Sequence, residues 1–155
     1  MRGNMVGLEV LGLPKMIDRF QVQGKSSFVI LHQNSNAAID SLVACKFAFF
    51  GASLEEYAEL LAGTTGEDHT PQSLKEIGER IWLTERSYNA RNGFTRADDV
   101  LPERFFTEAG SSGEGIDVPP NDRARFGEEL TKYYRIRGLR DDGFFPDDGF
   151  LDRQP

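Results

Sequence analysis

The segment that decides the fold is NAAIDSLVACKFAFF, residues 36–50, the most apolar fifteen residues of the 155-residue chain. It contains the only cysteine, Cys45, with Asp40 five positions before it and Lys46 directly after it. Phenylalanines at positions 47, 49 and 50 are expected to shield the sulfur from water. A thiolate is a soft metal ligand, whereas a free cysteine in an apolar segment is more often a small core residue. The residues alone favour the role of a core residue.

Composition excludes several classes of protein. The net charge of −7 and the pI near 4.9 argue against nucleic acid binding, which needs clustered Lys and Arg. One cysteine allows no internal disulfide and fits a reducing compartment. No apolar run approaches the roughly 20 residues that span a bilayer. The expectation is a cytoplasmic protein that contacts neither nucleic acid nor membrane.

Helical periodicity and capping signals predict the architecture. Residues 25–44, the segment after Ser53, the segment after Thr70-Pro71 and residues 122–137 all read as helices. No alternating strand pattern is present, so the predicted fold class is all-α, an irregular bundle of about five helices. The predicted buried stripes are Phe28, Leu31, Ser35, Ile39 and Leu42; Leu54, Tyr57, Ala58 and Leu61; Leu74, Ile77, Ile81, Trp82 and Tyr88; and Phe126, Leu130, Tyr133 and Tyr134.

Charged residues outside the cysteine segment are predicted to be structural. Glu85, Arg86 and Arg91 are expected to form a buried ion pair that fixes helices. Asp98 and Asp99 are expected to hold a loop by capping backbone donors. Residues 109–120, rich in Gly, Ser and Pro, are expected to be a surface loop.

Residues 40–47, DSLVACKF, resemble the last cofactor motif of the tungsten-containing aldehyde:ferredoxin oxidoreductases. In that family the motif reads Asp, two residues, Gly-Leu-Cys, and then often Lys-Phe. The resemblance implies that Cys45 is the fourth ligand of a 4Fe–4S cluster and that Asp40 and Ala44 approach the pterin of a tungsten cofactor. The chain departs from the motif at Val43, where the family has Gly, and at Ala44, where it has Leu.

Further short matches extend the resemblance along most of the chain. They are GLPKMIDRF at residues 12–20, the paired acid, Leu-Pro and aromatic pair within residues 94–106, and YYRIRG at residues 133–138. The resemblance implies that residues 1–155 are the C-terminal helical portion of such an enzyme, without its N-terminal pterin-binding domain. That domain supplies most cofactor contacts and the other three cluster cysteines in the family.

The function implied by this resemblance belongs to the complete enzyme. Aldehydes are oxidised to carboxylic acids at a tungsten or molybdenum pterin centre, and electrons pass through the 4Fe–4S cluster to ferredoxin. A cubane cluster generally takes four thiolates, so this chain, with one cysteine and no assigned catalytic residue, is expected to be inactive alone. Its expected partners are the N-terminal portion, ferredoxin and the aldehyde. The alternative is a cofactor-free helical module that binds a partner protein, with Cys45 a structural core residue.

Overall fold

The computed structural model describes residues 22–45, 47–48, 51–111, 113–115 and 117–153. Within these ranges the α-helices are α1 Ser26–Ser41, α2 Leu54–Thr65, α3 Pro71–Arg91, α4 Arg104–Thr107 and α5 Arg123–Ile136. Short 3₁₀ turns occupy Arg96–Asp98 and Leu151–Arg153. The predicted all-α class and the number of helices are confirmed, while the family match at residues 12–20 lies outside the described residues.

The starts of α2 and α3 are those that the capping signals predict. Ser53 accepts a backbone N–H of the first turn of α2 and forms a reciprocal capping box with Glu56. Thr70 caps α3, with Pro71 at the first helical position. Asp122 accepts two backbone N–H groups at the start of α5. These polar caps satisfy donors that would otherwise lack partners, so the boundaries follow from local chemistry.

The central contact of the fold is the crossing of α1 over α3. A β-carbon placed on Gly78 would lie 1.9 Å from the carbonyl oxygen of Asn34, so only glycine permits this approach. Ser35 and Ile39, on the same side of α1, are fully buried. The crossing brings the two backbones into direct contact midway along α1.

Two hydrophobic cores lie on either side of this crossing. The first joins the end of α1 to α2 and the start of α3, and contains Ala38, Ile39, Leu54, Tyr57, Ala58 and Leu74. The second joins α3 to α5 and the C-terminal turns, and contains Leu83, Tyr134, Leu139 and Phe150. Along α3, Leu74 belongs to the first core and Leu83 to the second, with Gly78 between them.

The predicted buried stripe of α3 is partly wrong. Leu74 is buried, but Ile77 and Tyr88 are exposed, and the face that packs inward continues through Gly78 and Arg86 instead. The reason is physical, since the close crossing needs a glycine and a buried ion pair needs an arginine. A pattern of hydrophobic residues marks neither the glycine nor the arginine as buried.

The predicted buried stripe of α1 is also partly wrong. Ser35 and Ile39 are buried as expected, whereas Phe28 and Leu31 are only half-buried. Ile30 and Asn34 occupy the inward positions instead. Asn34 points inward because its side-chain oxygen accepts a hydrogen bond from Arg137. A polar contact therefore selects the face.

The segment 109–120 carries a little more order than predicted. An antiparallel ladder of two residues on each side pairs β1 Gly110–Ser111 with β2 Asp117–Val118. No helix in the described ranges is long and apolar enough to cross a membrane.

Candidate functional site

The chain reaches Cys45 through a tight turn that ends α1. The backbone N–H of Val43 donates to the Asp40 carbonyl at 3.0 Å, and that of Ala44 donates to the Ile39 carbonyl at 3.4 Å. This pair of bonds is a Schellman motif, which satisfies carbonyls that the helix end leaves without donors. The direction of the chain at Cys45 is therefore set by the end of a packed helix.

Val43 occupies the left-handed position of this motif. Its φ is +57°, and it is the one non-glycine residue with positive φ in the described part of the chain. It is 93% exposed, so no packing compensates for the conformation. A left-handed L-residue costs roughly 1–2 kcal/mol. The departure from Gly at this position thus keeps the turn but makes it strained.

Cys45 lies on the surface. Its side chain is exposed, and its carbonyl oxygen accepts the N–H of Ala48 at 2.9 Å in the turn that follows. Phe47 is 79% exposed, while Lys46 and the phenylalanines at positions 49 and 50 lie outside the described residues. The interpretation of Cys45 as a core residue is therefore wrong.

The two other predicted site residues stand close to Cys45 in sequence but face different surroundings. Asp40 is exposed in the last turn of α1, where a negative charge interacts unfavourably with the helix dipole. Ala44 is half-buried and packs against the core that joins α1 to α2. Its methyl group contacts protein, and its backbone N–H is already used by the Schellman turn.

The Cys45 thiol fits a single ligand position of an iron–sulfur cluster. Among the described residues, no three His, Cys, Asp or Glu side chains come together as a metal-binding group. The whole sequence contains one cysteine, whereas a cubane cluster generally takes four. An exposed thiol on a hydrogen-bonded turn suits a ligand shared with another polypeptide segment.

The predicted ion pair at Arg86 is present, but with a different partner. Arg86 is buried, and its Nη1 lies 2.8 Å from Asp99, which also accepts the hydroxyl of Tyr134. Burial and this hydrogen bond raise the pKa of Tyr134. Glu85 and Arg91 are exposed, so their predicted burial is wrong.

The paired acids therefore divide their roles. Asp98 accepts the N–H of Thr95 and caps a 3₁₀ turn, as predicted. Asp99 is instead the counterion of a buried arginine, because the turn directs it back toward α3. Both hold the loop after α3, one locally and one across the bundle.

Arg137 is a buried charge that the sequence analysis did not identify. Its side chain is fully buried and donates to Asn34 at 2.7 Å and to Gln33 at 3.0 Å. The guanidinium also stacks over Trp82 at 4.2 Å, and its Nε has no partner among the residues that the structure describes. The sequence analysis assigned no role to Arg137, and no local pattern marks the glutamine and asparagine that receive its hydrogen bonds.

Comparison with known proteins agrees with the resemblance. A family model described as "Aldehyde ferredoxin oxidoreductase, domains 2 & 3" matches residues 1–152. A tungsten-containing aldehyde ferredoxin oxidoreductase of Pyrococcus furiosus is 38% identical over 146 residues, covering 92% of this chain and 23% of that protein. Proteins of the same name from Thermococcus kodakarensis and Pyrococcus horikoshii are 35% and 34% identical, covering 92% and 93% of the chain.

The chain belongs to the aldehyde ferredoxin oxidoreductase family, and it corresponds to that family's C-terminal domains. It spans about a quarter of the length of the curated relatives it matches, 23% in each case.

Proposed function

We propose that this chain is the C-terminal portion of an enzyme that oxidises aldehydes to carboxylic acids at a tungsten or molybdenum pterin centre. In this proposal Cys45 supplies one of four thiolates to a 4Fe–4S cluster, and the electrons leave through that cluster to ferredoxin. The rest of the same enzyme, in the N-terminal portion, supplies the other three thiolates and most pterin contacts. The chain alone is inactive.

The observation that carries the proposal is the exposed thiol of Cys45 on a fixed turn. A structural cysteine is normally buried, whereas a shared ligand has to reach outward from a rigid support. The Schellman turn holds the backbone that leads to Cys45, and the exposed side chain is accessible to another polypeptide segment.

Asp40 and Ala44 are proposed as pterin contacts. The Asp40 carboxylate is exposed at the end of α1, where it can accept hydrogen bonds from a ligand. Ala44 would contribute its backbone carbonyl, since its methyl group packs inward.

The surface around Cys45 supports contact with another polypeptide. Val43 and Phe47 are 93% and 79% exposed on either side of the cysteine. Apolar side chains that cluster on a surface usually mark an interface. The N-terminal portion is the proposed partner, because the chain covers 23% of the length of its relatives.

The proposal is tested by complementation in two pieces. The first piece is the Pyrococcus furiosus relative without the region that this chain matches, and the second is this chain. Mixed under anaerobic conditions with iron and sulfide, they are expected to give a 4Fe–4S signal in electron paramagnetic resonance after reduction. The Cys45→Ser chain is the matched control, since it changes one atom on an exposed side chain, and it should fail to restore the signal.

Two results would contradict the proposal. A cluster signal that is equally strong with the Cys45→Ser chain would remove Cys45 from the ligand set. Aldehyde oxidation by this chain alone, with an artificial electron acceptor, would show that the pterin site does not need the N-terminal portion.

A further inference from the structure

The helix α3 carries a second apolar stripe, on the side away from its buried residues. The stripe consists of Ile77, Ile81, Thr84 and Tyr88, which recur at steps of four and three residues and so share one face of the helix. Ile81 is half-buried, whereas Ile77 is exposed and Tyr88 is 62% exposed. In the part of the chain that the structure describes, the stripe is therefore largely open to solvent.

The spacing of this outer stripe is that of a coiled-coil seam. Ile77 and Thr84 occupy d positions of a heptad repeat. Ile81 and Tyr88 occupy the a positions that alternate with them. The Thr84 hydroxyl donates to the Arg80 carbonyl at 2.8 Å within the same helix, so it needs no partner across the seam. Since α3 is already held by the bundle, pairing of its outer face has no cost of helix formation.

The charges beside the stripe are complementary to those of a second copy. Arg80 takes a g position of the heptad, and Glu85 takes the following e position, five residues later. Both side chains are exposed, and neither has an ion-pair partner among the residues that the structure describes. In two parallel helices, a g position of one copy faces the following e position of the other. Two Arg80–Glu85 pairs would therefore form by symmetry.

The same charges select the direction of the pairing. In a symmetric antiparallel pair the g positions of the two copies would face each other, and so would the e positions. Arg80 would then meet Arg80 of the other copy, and Glu85 would meet Glu85, which costs free energy in both places. The parallel arrangement replaces both repulsions with attractions.

We propose that the outer face of α3 binds the same face of a second copy of this chain. The two helices run parallel, with a seam from Ile77 to Tyr88 and an Arg80–Glu85 ion pair on each side. The next d position is Arg91, whose charge meets that of its copy and ends the seam. A seam this short buries less area than a permanent dimer, so the dimer is weak and its population rises with protein concentration.

Sedimentation velocity of the full chain over a range of concentrations measures this association. A reducing agent is present throughout, so that the exposed Cys45 forms no disulfide-linked dimer. The expected result is a reversible equilibrium between monomer and dimer. Tyr88→Ser should weaken it about tenfold, because the variant removes an exposed ring from the seam. Phe47→Ser, which removes an exposed ring beside Cys45, is the matched control and should leave the association constant unchanged.

Charge reversal tests whether the partner is a copy of the chain. Arg80→Glu sets carboxylates opposite each other, and Glu85→Arg sets guanidiniums opposite each other, so each variant alone should dimerise about tenfold more weakly. A mixture of the two variants brings opposite charges together again and should form a heterodimer about as tight as the unchanged dimer. Arg91→Leu should tighten the dimer, because it removes a like-charge contact at the end of the seam.

The proposal is overturned if the chain stays monomeric at every concentration, or if the mixed variants associate no better than either alone. It is also overturned if amide hydrogen exchange in residues 77–88 slows only when the N-terminal portion of the Pyrococcus furiosus relative is added. That result would assign this face of α3 to the rest of the enzyme. None of these measurements involves iron, so failure here is distinguishable from failure of the cluster complementation.

Discussion

Arg86 and Asp99 form an ion pair at 2.8 Å that ties the loop after α3 back onto that helix. The arginine is almost fully buried and donates its Nε to the carbonyl of Gly143 at 3.3 Å, so the same side chain also holds the C-terminal turns. Asp99 is the carboxylate that compensates the buried charge. The loop, α3 and the C-terminal segment therefore depend on one carboxylate.

Asp99→Asn should destabilise the fold by about 2 kcal/mol. Removing one partner leaves a buried charge without compensation, which usually costs about 3–5 kcal/mol, and partial exposure of Asp99 reduces this. Asp98→Asn is the matched control, because Asp98 is exposed and only caps a turn; it should cost less than about 1 kcal/mol. Urea unfolding measures both, and equal losses would contradict the assignment of Asp99 as counterion.

Gly78→Ala should destabilise by about 3 kcal/mol or more, although alanine is the better helix former. The added methyl group would lie 1.9 Å from the Asn34 carbonyl oxygen, so α1 and α3 would have to separate. Gly63→Ala in α2 is the control, since no atom lies within 4 Å of its β-carbon position; it should stabilise by about 0.5–1 kcal/mol. Effects of the same sign in thermal unfolding would refute the close crossing.

Val43→Gly should stabilise the chain by about 1 kcal/mol. Glycine adopts the left-handed conformation of residue 43 without the steric cost, and the exposed valine has little packing to lose. Gly66→Ala is the reverse experiment at the end of α2, where φ is +77° and space is open, and should destabilise by about 1 kcal/mol. If Val43→Gly lowers the melting temperature, the turn is not strained.

The lowered pKa of Glu129 predicts that the stability of the fold depends on pH. Burial opposes its ionisation, but hydrogen bonds from Lys132 and Ser26 outweigh burial and lower its pKa from 4.5 to about 2. A carboxylate with a lowered folded-state pKa stabilises the fold above its unfolded pKa, and this contribution is lost as the pH falls toward the folded value. The stability difference between wild type and Glu129→Gln should therefore shrink between about pH 5 and pH 2.

Urea midpoints at several pH values measure that difference, and Glu128→Gln on the exposed neighbouring position is the control. Its difference from wild type should stay nearly constant over the same pH range. A constant difference for Glu129→Gln as well would contradict the assigned hydrogen bonds.

Local chemistry made much of the fold predictable. The caps Ser53, Thr70 and Asp122 each satisfy backbone donors within three residues, so their effect can be read from neighbouring sequence. The glycine at position 138 ends the last helix for an equally local reason, since it takes φ of +70°. The starts of α2, α3 and α5 and the end of α5 can therefore be read from neighbouring sequence.

Long-range polar contacts could not be predicted in the same way. Arg137 is more than one hundred positions from Gln33 and Asn34, and nothing near any of the three indicates the pairing. Burial of Gly78 likewise depends on where α1 crosses. The candidate residues Asp40, Ala44 and Cys45 came from a motif resemblance, and their cofactor roles stay predictions.

The crossing at Asn34 has a mechanical consequence for α1. Eight residues of the helix precede Asn34 and seven follow it, so the two arms are each roughly 11 Å long. At the contact with Gly78 the backbones of α1 and α3 cannot move closer together, so this contact is the point about which α1 would tilt. If α1 tilts about this contact and its Ser26 end moves away from the bundle, its Cys45 end moves by a similar distance in the opposite direction.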